Sequence, residues 1–149
     1  MVGESEEENN LFYICGLIEF ISRLTKNTKR DVIQKLGKDK IKKMYELAEV
    51  YHCENIEKIA NEFINEASIS NGGYDYIDNC KYRVPTYWEI AKVYKRLIVM
   101  VDDDVDKIID TTIEVLSSWI IDKIDNYNSS LFYENPEYIY ECYINGEIL

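Results

Sequence analysis

Apolar residues along most of this chain recur at intervals of three and four, which is the period of an amphipathic helix. The longest such run covers residues 104–128, DVDKIIDTTIEVLSSWIIDKIDNYN, and contains neither Gly nor Pro. The spacing predicts one helix of roughly six turns, the longest in the molecule. We expect shorter helices to bury one face against it.

A second helix is predicted over residues 11–24, where apolar side chains occupy almost the whole circumference. A helix of this kind is expected to lie at the centre of a bundle. Asn9 or Asn10 is placed to cap its start. Glu19 is the exception to its apolar character, and the favourable four-residue spacing to Arg23 predicts that Glu19 marks a solvent-facing edge.

Three short helices with tight connections are predicted within residues 28–66. Thr28 can cap the first of them, and Gly37 can end it. Asp39 is a cap for the next, and Asn55 or its neighbour for the last. The apolar residues of these segments again recur at three and four.

Residues 68–85, SISNGGYDYIDNCKYRVP, form the longest stretch without helical periodicity. The Gly pair, the Asn residues and the Pro predict a loop. Alternation over residues 74–77 leaves a short strand as the alternative. Long loops inside compact domains are often binding elements.

The remaining helices have clear sequence boundaries. The capping box TYWE at residues 86–89 starts a helix that runs to an acidic cluster, and its short connection to the segment 104–128 predicts a helical hairpin. An Asn-Pro start and a Gly end frame a last helix within residues 135–146.

These elements predict an all-α protein, an irregular bundle of about six to seven helices with a central long helix and a helical hairpin in the C-terminal half. Residues 1–10 are predicted as a flexible acidic N-terminus, and residues 11–149 as a single helical domain. Within that domain we distinguish subdomains 11–66 and 86–145, bridged by loop 68–85. A chain of 149 residues that is 46% hydrophobic is long enough to bury one core.

The formal net charge of −11 argues against binding of nucleic acid or anionic membranes by the molecule as a whole. The N-terminus is acidic where a secretory signal would be basic, and the chain has no apolar run of about 18 residues. We therefore expect a cytoplasmic protein with no membrane association.

One basic segment interrupts this acidic chain. Residues 26–45 carry eight Lys or Arg and two Asp. A nucleic-acid-associated regulator using this segment is therefore an alternative function, and docking on the acidic surface of the second half of the chain or of a neighbouring subunit is another use of the patch. The candidate residues of this basic patch are Lys29, Arg30, Lys35, Lys38, Lys42 and Lys43.

The sequence offers little catalytic chemistry. His52 is the single histidine, and Cys53 beside it should point away on a helix. A Cys/His-containing site would have to use Cys80, with Glu19 as a third group. Such an enzyme is the less favoured alternative, and no catalytic residue is assigned.

Neither a metal site nor a cofactor site is predicted. Asp102, Asp104 and Asp106 alternate as calcium ligands do, but Lys107 and Ile113 stand where a calcium loop needs Gly and Glu. We expect these acids to cap the following helix instead. The four cysteines form no CxxC pair, and the three in helical patterns are expected to be buried and reduced.

Thirteen tyrosines are the most unusual feature of the composition. Tyrosine provides rigid, amphipathic contact area and is enriched in binding surfaces. Several lie outside the apolar faces of the predicted helices. The candidate partner-binding residues are Tyr74, Tyr76, Tyr82, Tyr138 and Tyr140.

The segments FYICGLIEF, DVIQKLG, IKKMYELAEVYH and IEKIANEFI, within residues 12–64, resemble small bacterial helical domains of unknown function. The resemblance implies an accessory or partner-binding module, of a kind sometimes linked with toxin-type proteins, and implies no catalytic residue. With the composition, it favours a protein-interaction module that binds and neutralises a basic protein partner through loop 68–85 and the last helix. Assembly as a homo-oligomer is an alternative.

Overall fold

The computed structural model describes residues 5–149, which contain eight α-helices and no strand. The predicted all-α bundle is therefore confirmed. The helices are α1 Glu6–Thr25, α2 Lys29–Glu46, α3 Ala48–Tyr51, α4 Ile56–Ala67, α5 Tyr87–Val101, α6 Ile108–Leu116, α7 Trp119–Ile124 and α8 Pro136–Asn145. None of the helices in this part of the chain is both long and apolar enough to cross a membrane.

The long central helix of the bundle is α1. It has 20 residues, its middle is buried, and it contacts α2, α3, α4 and α5. It begins earlier than predicted, because the Ser5 side chain accepts a hydrogen bond from the Glu8 amide at 3.1 Å and caps the helix. Asn9 and Asn10 are therefore helical residues, not caps, and residues 1–4 of the predicted flexible N-terminus lie outside the described residues.

The prediction of one helix over residues 104–128 was wrong. A 3-10 turn at Val105–Lys107 leads into α6, and this helix ends before a separate helix, α7, begins. Ser118 is extended, with φ −85° and ψ 167°, and its hydroxyl donates to the carbonyl of Val115 at 2.6 Å. A serine side chain can bond to backbone groups in place of the helical hydrogen bonds, as Ser118 does here. A serine pair inside an apolar pattern was therefore enough to end the helix.

The shorter helices of the first half follow only some of the predicted boundaries, because α2 continues past Gly37 and Asp39 to Glu46 and a new helix, α3, begins at Ala48. Thr28 caps α2, and Asn55 caps α4. Gly37 interrupts α2 with φ 75° and ψ 166°, a conformation that favours glycine. Only the four-residue α3 had no separate prediction.

In the second half, α5 starts with the predicted capping box. The Thr86 hydroxyl accepts from the Glu89 amide, and the Glu89 carboxylate accepts from the Thr86 amide, each at 3.0 Å. Helix α5 packs against α1 and also contacts α6 and α8. Asn135 caps α8, and Gly146 ends it with φ 74°, as predicted.

Two smaller predictions have different outcomes. The side chains of Asp102 and Asp104 accept backbone amide hydrogens at 3.0 and 2.9 Å, so these acids cap the start of the next turn as expected. Cys15 and Cys142 are buried, but Cys53 is exposed because it lies in the turn after α3 and not on an apolar helix face.

Candidate functional site

A cluster of charged side chains is buried where α1, α2 and the end of α7 meet. Lys29 Nζ lies 2.6 Å from Glu19 Oε1 and 2.7 Å from Asp125 Oδ2. The three side chains are 1%, 0% and 1% exposed, respectively. One ammonium group therefore bridges two carboxylates that water does not reach.

Hydroxyl groups and a second cation complete this buried charge cluster. Tyr76 donates to Glu19 Oε2 at 2.6 Å, and Tyr94 donates to Asp125 Oδ1. Arg23 donates to the same Glu19 oxygen at 2.6 Å. Two cations thus balance two carboxylates, which is the condition under which charges can be kept in a core.

The electrostatics of the cluster follow from this arrangement. Burial raises the pKa of Asp125 to about 6, although Lys29 opposes that shift. Burial would also raise the pKa of Glu19, but Lys29 and Arg23 outweigh it and hold that pKa below its usual value. The pKa of Lys29 is above its usual value, because the two carboxylates outweigh its own desolvation. Lys29 therefore stays charged at neutral pH. The hydrogen bond from Tyr76 to Glu19 also connects loop 68–85 to the helical bundle.

The cluster corrects three sequence predictions. Glu19 pairs with Arg23 as predicted, but it faces the core and not solvent. Lys29 is buried and is not part of an exposed basic patch. Tyr76 is only 8% exposed, so its ring is not available as a contact residue. In each case a polar group expected at the surface is buried because a partner distant in sequence satisfies it.

The rest of the basic patch is exposed and partly engaged within the chain. Arg30 lies 3.4 Å from Asp122, Lys38 lies 2.8 Å from Asp110, and Lys43 lies 3.5 Å from Glu66. These contacts join α2 to α7, α6 and α4. The contacts with Asp122 and Asp110 match the predicted alternative in which the patch docks on the acidic surface of the second half, whereas Glu66 lies in the first half. Lys35 and Lys42 are exposed.

The candidate contact tyrosines are spread over the loop and α8. The rings of Tyr74 and Tyr76 lie 5.0 Å apart, and Tyr74 is partly buried over the charge cluster. Tyr82 is 67% exposed. Tyr138 and Tyr140 are partly buried on α8. The end of the loop and α8 share one groove of about 440 Å³, whose lining includes Arg83, Glu89, Arg96, Tyr133 and Ile139.

The three groups of the alternative catalytic site contact different neighbours. Glu19 belongs to the buried cluster. The Cys80 thiol donates to the carbonyl of Tyr82 at 3.3 Å, and His52 Nδ1 lies 2.7 Å from the carbonyl oxygen of Glu49. The structure does not bring them together.

A groove that the sequence did not reveal has a volume of about 560 Å³, within the usual range for ligand sites of about 300–1,000 Å³. It lies between the start of α1, α3, the start of α4 and the start of α5. Phe12, Tyr13 and Trp88 form its aromatic side. The ring centroid of Trp88 is 5.2 Å from that of Phe12 and 6.2 Å from that of Tyr13. We call this site the aromatic groove.

Gly16 allows the indole ring to lie against α1. A Cβ atom at Gly16 would stand 2.5 Å from Cε3 of Trp88 and closer still to Cζ3. Real Cβ atoms do not approach so closely, so glycine at this position determines where the tryptophan lies. The glycine inside an otherwise apolar helix was the one sequence signal for a close approach here.

The rim of the aromatic groove is acidic. Glu6, Glu49 and Glu54 line it together with His52. Glu49 raises the pKa of Glu6 through a hydrogen bond between the two carboxyl groups and through its like charge. These residues come from three separate helices or their ends, which is why no sequence motif marked them.

The hydroxyl of Tyr13 is buried in the wall of this groove. The residue is 5% exposed, and the hydroxyl has no hydrogen-bond partner. Burial raises the pKa of Tyr13 to about 12, so the hydroxyl is protonated at neutral pH. Buried polar groups are normally paired, and an unpaired one is a reason to suspect a ligand.

Comparison with known proteins gives no assignment: no family model matches the chain, and neither a curated protein nor a solved structure does. Over residues 5–149, no group of three or more His, Cys, Asp or Glu side chains is arranged to hold a metal ion. The functional argument therefore depends on the geometry and charge of this chain alone.

Proposed function

We propose that this protein is a helical protein-interaction module that binds a basic protein partner through its acidic surface. The observation that carries the proposal is the internal engagement of the basic patch in a chain of net charge −11. Most of the cations in the one segment that favoured nucleic-acid binding lie beside carboxylates of the same chain.

The charge distribution of the fold favours a basic protein over nucleic acid. Lys29 is removed from the surface altogether, and Arg30, Lys38 and Lys43 lie beside exposed carboxylates that reduce their outward field. A negative field repels phosphate backbones, whose binding depends on cations that displace counterions. The same field steers a positively charged protein toward the surface and raises its association rate.

The proposed contact face consists of loop 68–85 and α8. Tyr76 is excluded from it because its side chain is buried. Tyr82 has the exposure that a contact residue needs, and Tyr138 and Tyr140 present part of their rings on α8. Exposed tyrosines of this kind add contact area at low entropic cost. The resemblance of residues 12–64 to partner-binding helical modules is consistent with this assignment but does not identify a partner.

The test is affinity capture of the tagged protein from cells that naturally produce it, at about 50 and about 150 mM salt. A variant with both Lys35→Glu and Lys42→Glu is captured in parallel. We expect one stoichiometric basic protein, retained by the wild type and by the variant. Nucleic acid that the variant fails to retain would contradict the proposal and favour the nucleic-acid-associated regulator. A second copy of the chain as sole partner would contradict it in favour of a homo-oligomer.

A further inference from the structure

We propose that the aromatic groove is a subsite for an arginine side chain of the basic partner. This inference rests on the proposed function and adds a second place where that partner is recognised, because no residue of loop 68–85 or α8 lines the groove. It is carried by two features that coincide in the groove: an aromatic wall and an acidic rim.

The aromatic wall suits a flat cation. Trp88 and Phe12 are tilted by 35° to each other and offer ring surface to the groove. A guanidinium group is planar, weakly hydrated and stacks on aromatic faces, whereas a lysine ammonium group is compact and strongly hydrated. The cation–π attraction is strongest with tryptophan. The wall therefore favours arginine over lysine.

The acidic rim provides the matching charge. Glu6 and Glu49 both line the groove, which places two acids of like charge at its rim. A cation between them relieves their repulsion, and carboxylates bind guanidinium in a forked, two-bond geometry. Glu54 is partly occupied, because Lys58 lies 3.3 Å from it. The main contribution is therefore assigned to Glu6 and Glu49.

His52 at the rim supplies a further hydrogen-bond acceptor. Because a carbonyl oxygen only accepts, the 2.7 Å contact with Glu49 requires that His52 Nδ1 carry the hydrogen. Neutral His52 then has Nε2 as an acceptor. The Tyr13 hydroxyl also has no partner, but it is fully covered, so a guanidinium group in the groove does not reach it.

The experiment titrates a hexa-arginine peptide and a hexacitrulline peptide into the protein by calorimetry. Citrulline has the shape of arginine but a neutral urea in place of the guanidinium. The variant is Glu49→Gln, and the controls are Tyr13→Phe, which removes the covered hydroxyl, and Glu62→Gln, an exposed acid of α4 outside the groove. Each is also unfolded thermally, to confirm that it folds.

We expect the arginine peptide to bind and the citrulline peptide to bind at least about tenfold more weakly. Glu49→Gln should weaken arginine binding by about tenfold, since it removes one hydrogen bond to a charged group. Tyr13→Phe should change it by less than about twofold, because the hydroxyl is covered. Glu62→Gln should change it by less than about twofold. Tyr13→Phe should fold with an unchanged or higher melting temperature, because its hydroxyl makes no bond in the free protein.

Equal weakening by Glu62→Gln and Glu49→Gln would overturn the groove as a specific subsite, but it would leave binding by the acidic surface intact. Absence of hexa-arginine binding at millimolar concentration would also overturn the subsite. The capture experiment then decides the proposed function separately. Tight binding of hexacitrulline would show that shape and not charge is recognised, and would likewise contradict the assignment to arginine.

Discussion

Replacing Lys29 by Met tests the buried charge cluster most severely. The substitution keeps the length of the side chain but removes the ammonium group that lies 2.6 Å from Glu19 and 2.7 Å from Asp125. Both carboxylates are at most 1% exposed, so water cannot take the place of the lost cation. Arg23 still faces Glu19, and Asp125 keeps only the hydroxyl of Tyr94.

Breaking a buried ion pair by removing one partner costs about 3–5 kcal/mol. For a domain of this size each kcal/mol lowers the melting temperature by about 2–4 °C, so a fall of roughly 6–20 °C is expected. The matched control is Arg30→Met, the next residue on α2, whose exposed pair with Asp122 spans 3.4 Å. An exposed pair contributes about 0–1 kcal/mol.

The assay is urea denaturation of the wild type and both variants, followed by circular dichroism, with the free energy of unfolding taken from the linear extrapolation. If Lys29→Met lost no more stability than Arg30→Met, the buried cluster would not hold ionised groups as described. A double variant that also carries Asp125→Asn should recover part of the loss, because the unpaired charge is then removed.

Three further predictions concern other sites. Gly16→Ala should destabilise the protein by about 1–3 kcal/mol and alter tryptophan fluorescence, because the added methyl group collides with Trp88; unchanged stability and emission would contradict the close approach. Arg83, which donates two hydrogen bonds to Glu89, lowers the pKa of that carboxyl to about 2, so its contribution to stability is present above about pH 4.5 and is lost as the pH falls toward 2. Glu89→Gln should flatten that part of the stability profile measured by urea denaturation, and an identical slope would refute the assignment. Tyr82→Ala should weaken capture of the basic partner without lowering the melting temperature, since its ring is exposed; unimpaired capture would exclude Tyr82 from the contact face.

Local signals predicted much of the fold because caps and helical periodicity act within a few residues. Thr28, Thr86 and Asn135 cap helices at the predicted positions, and loop 68–85 is irregular as expected. Residues 104–128 were predicted as one continuous helix because serine lowers helix propensity only slightly. The helix is interrupted at Ser118, whose side chain forms a local hydrogen bond. The spacing of the apolar residues does not encode that bond.

The functional residues were harder to predict because their partners are distant in sequence. Lys29 and Asp125 are 96 residues apart, so Lys29 was grouped with the surface cations around it. Charged residues are rarely fully buried unless paired, and a pair of this separation leaves no pattern in one sequence. The aromatic groove combines Glu6 and Tyr13 of α1 with Trp88 of α5, and only the folded chain brings the two helices together.

The measurement that tests the central claim most directly is affinity capture repeated after nuclease digestion of the cell extract. If the acidic surface binds a basic protein, the same stoichiometric partner should be recovered with and without digestion, and its yield should fall as salt screens the attraction. Loss of the partner on digestion would show that nucleic acid mediates the contact. A partner retained equally at all salt concentrations would contradict recognition by charge.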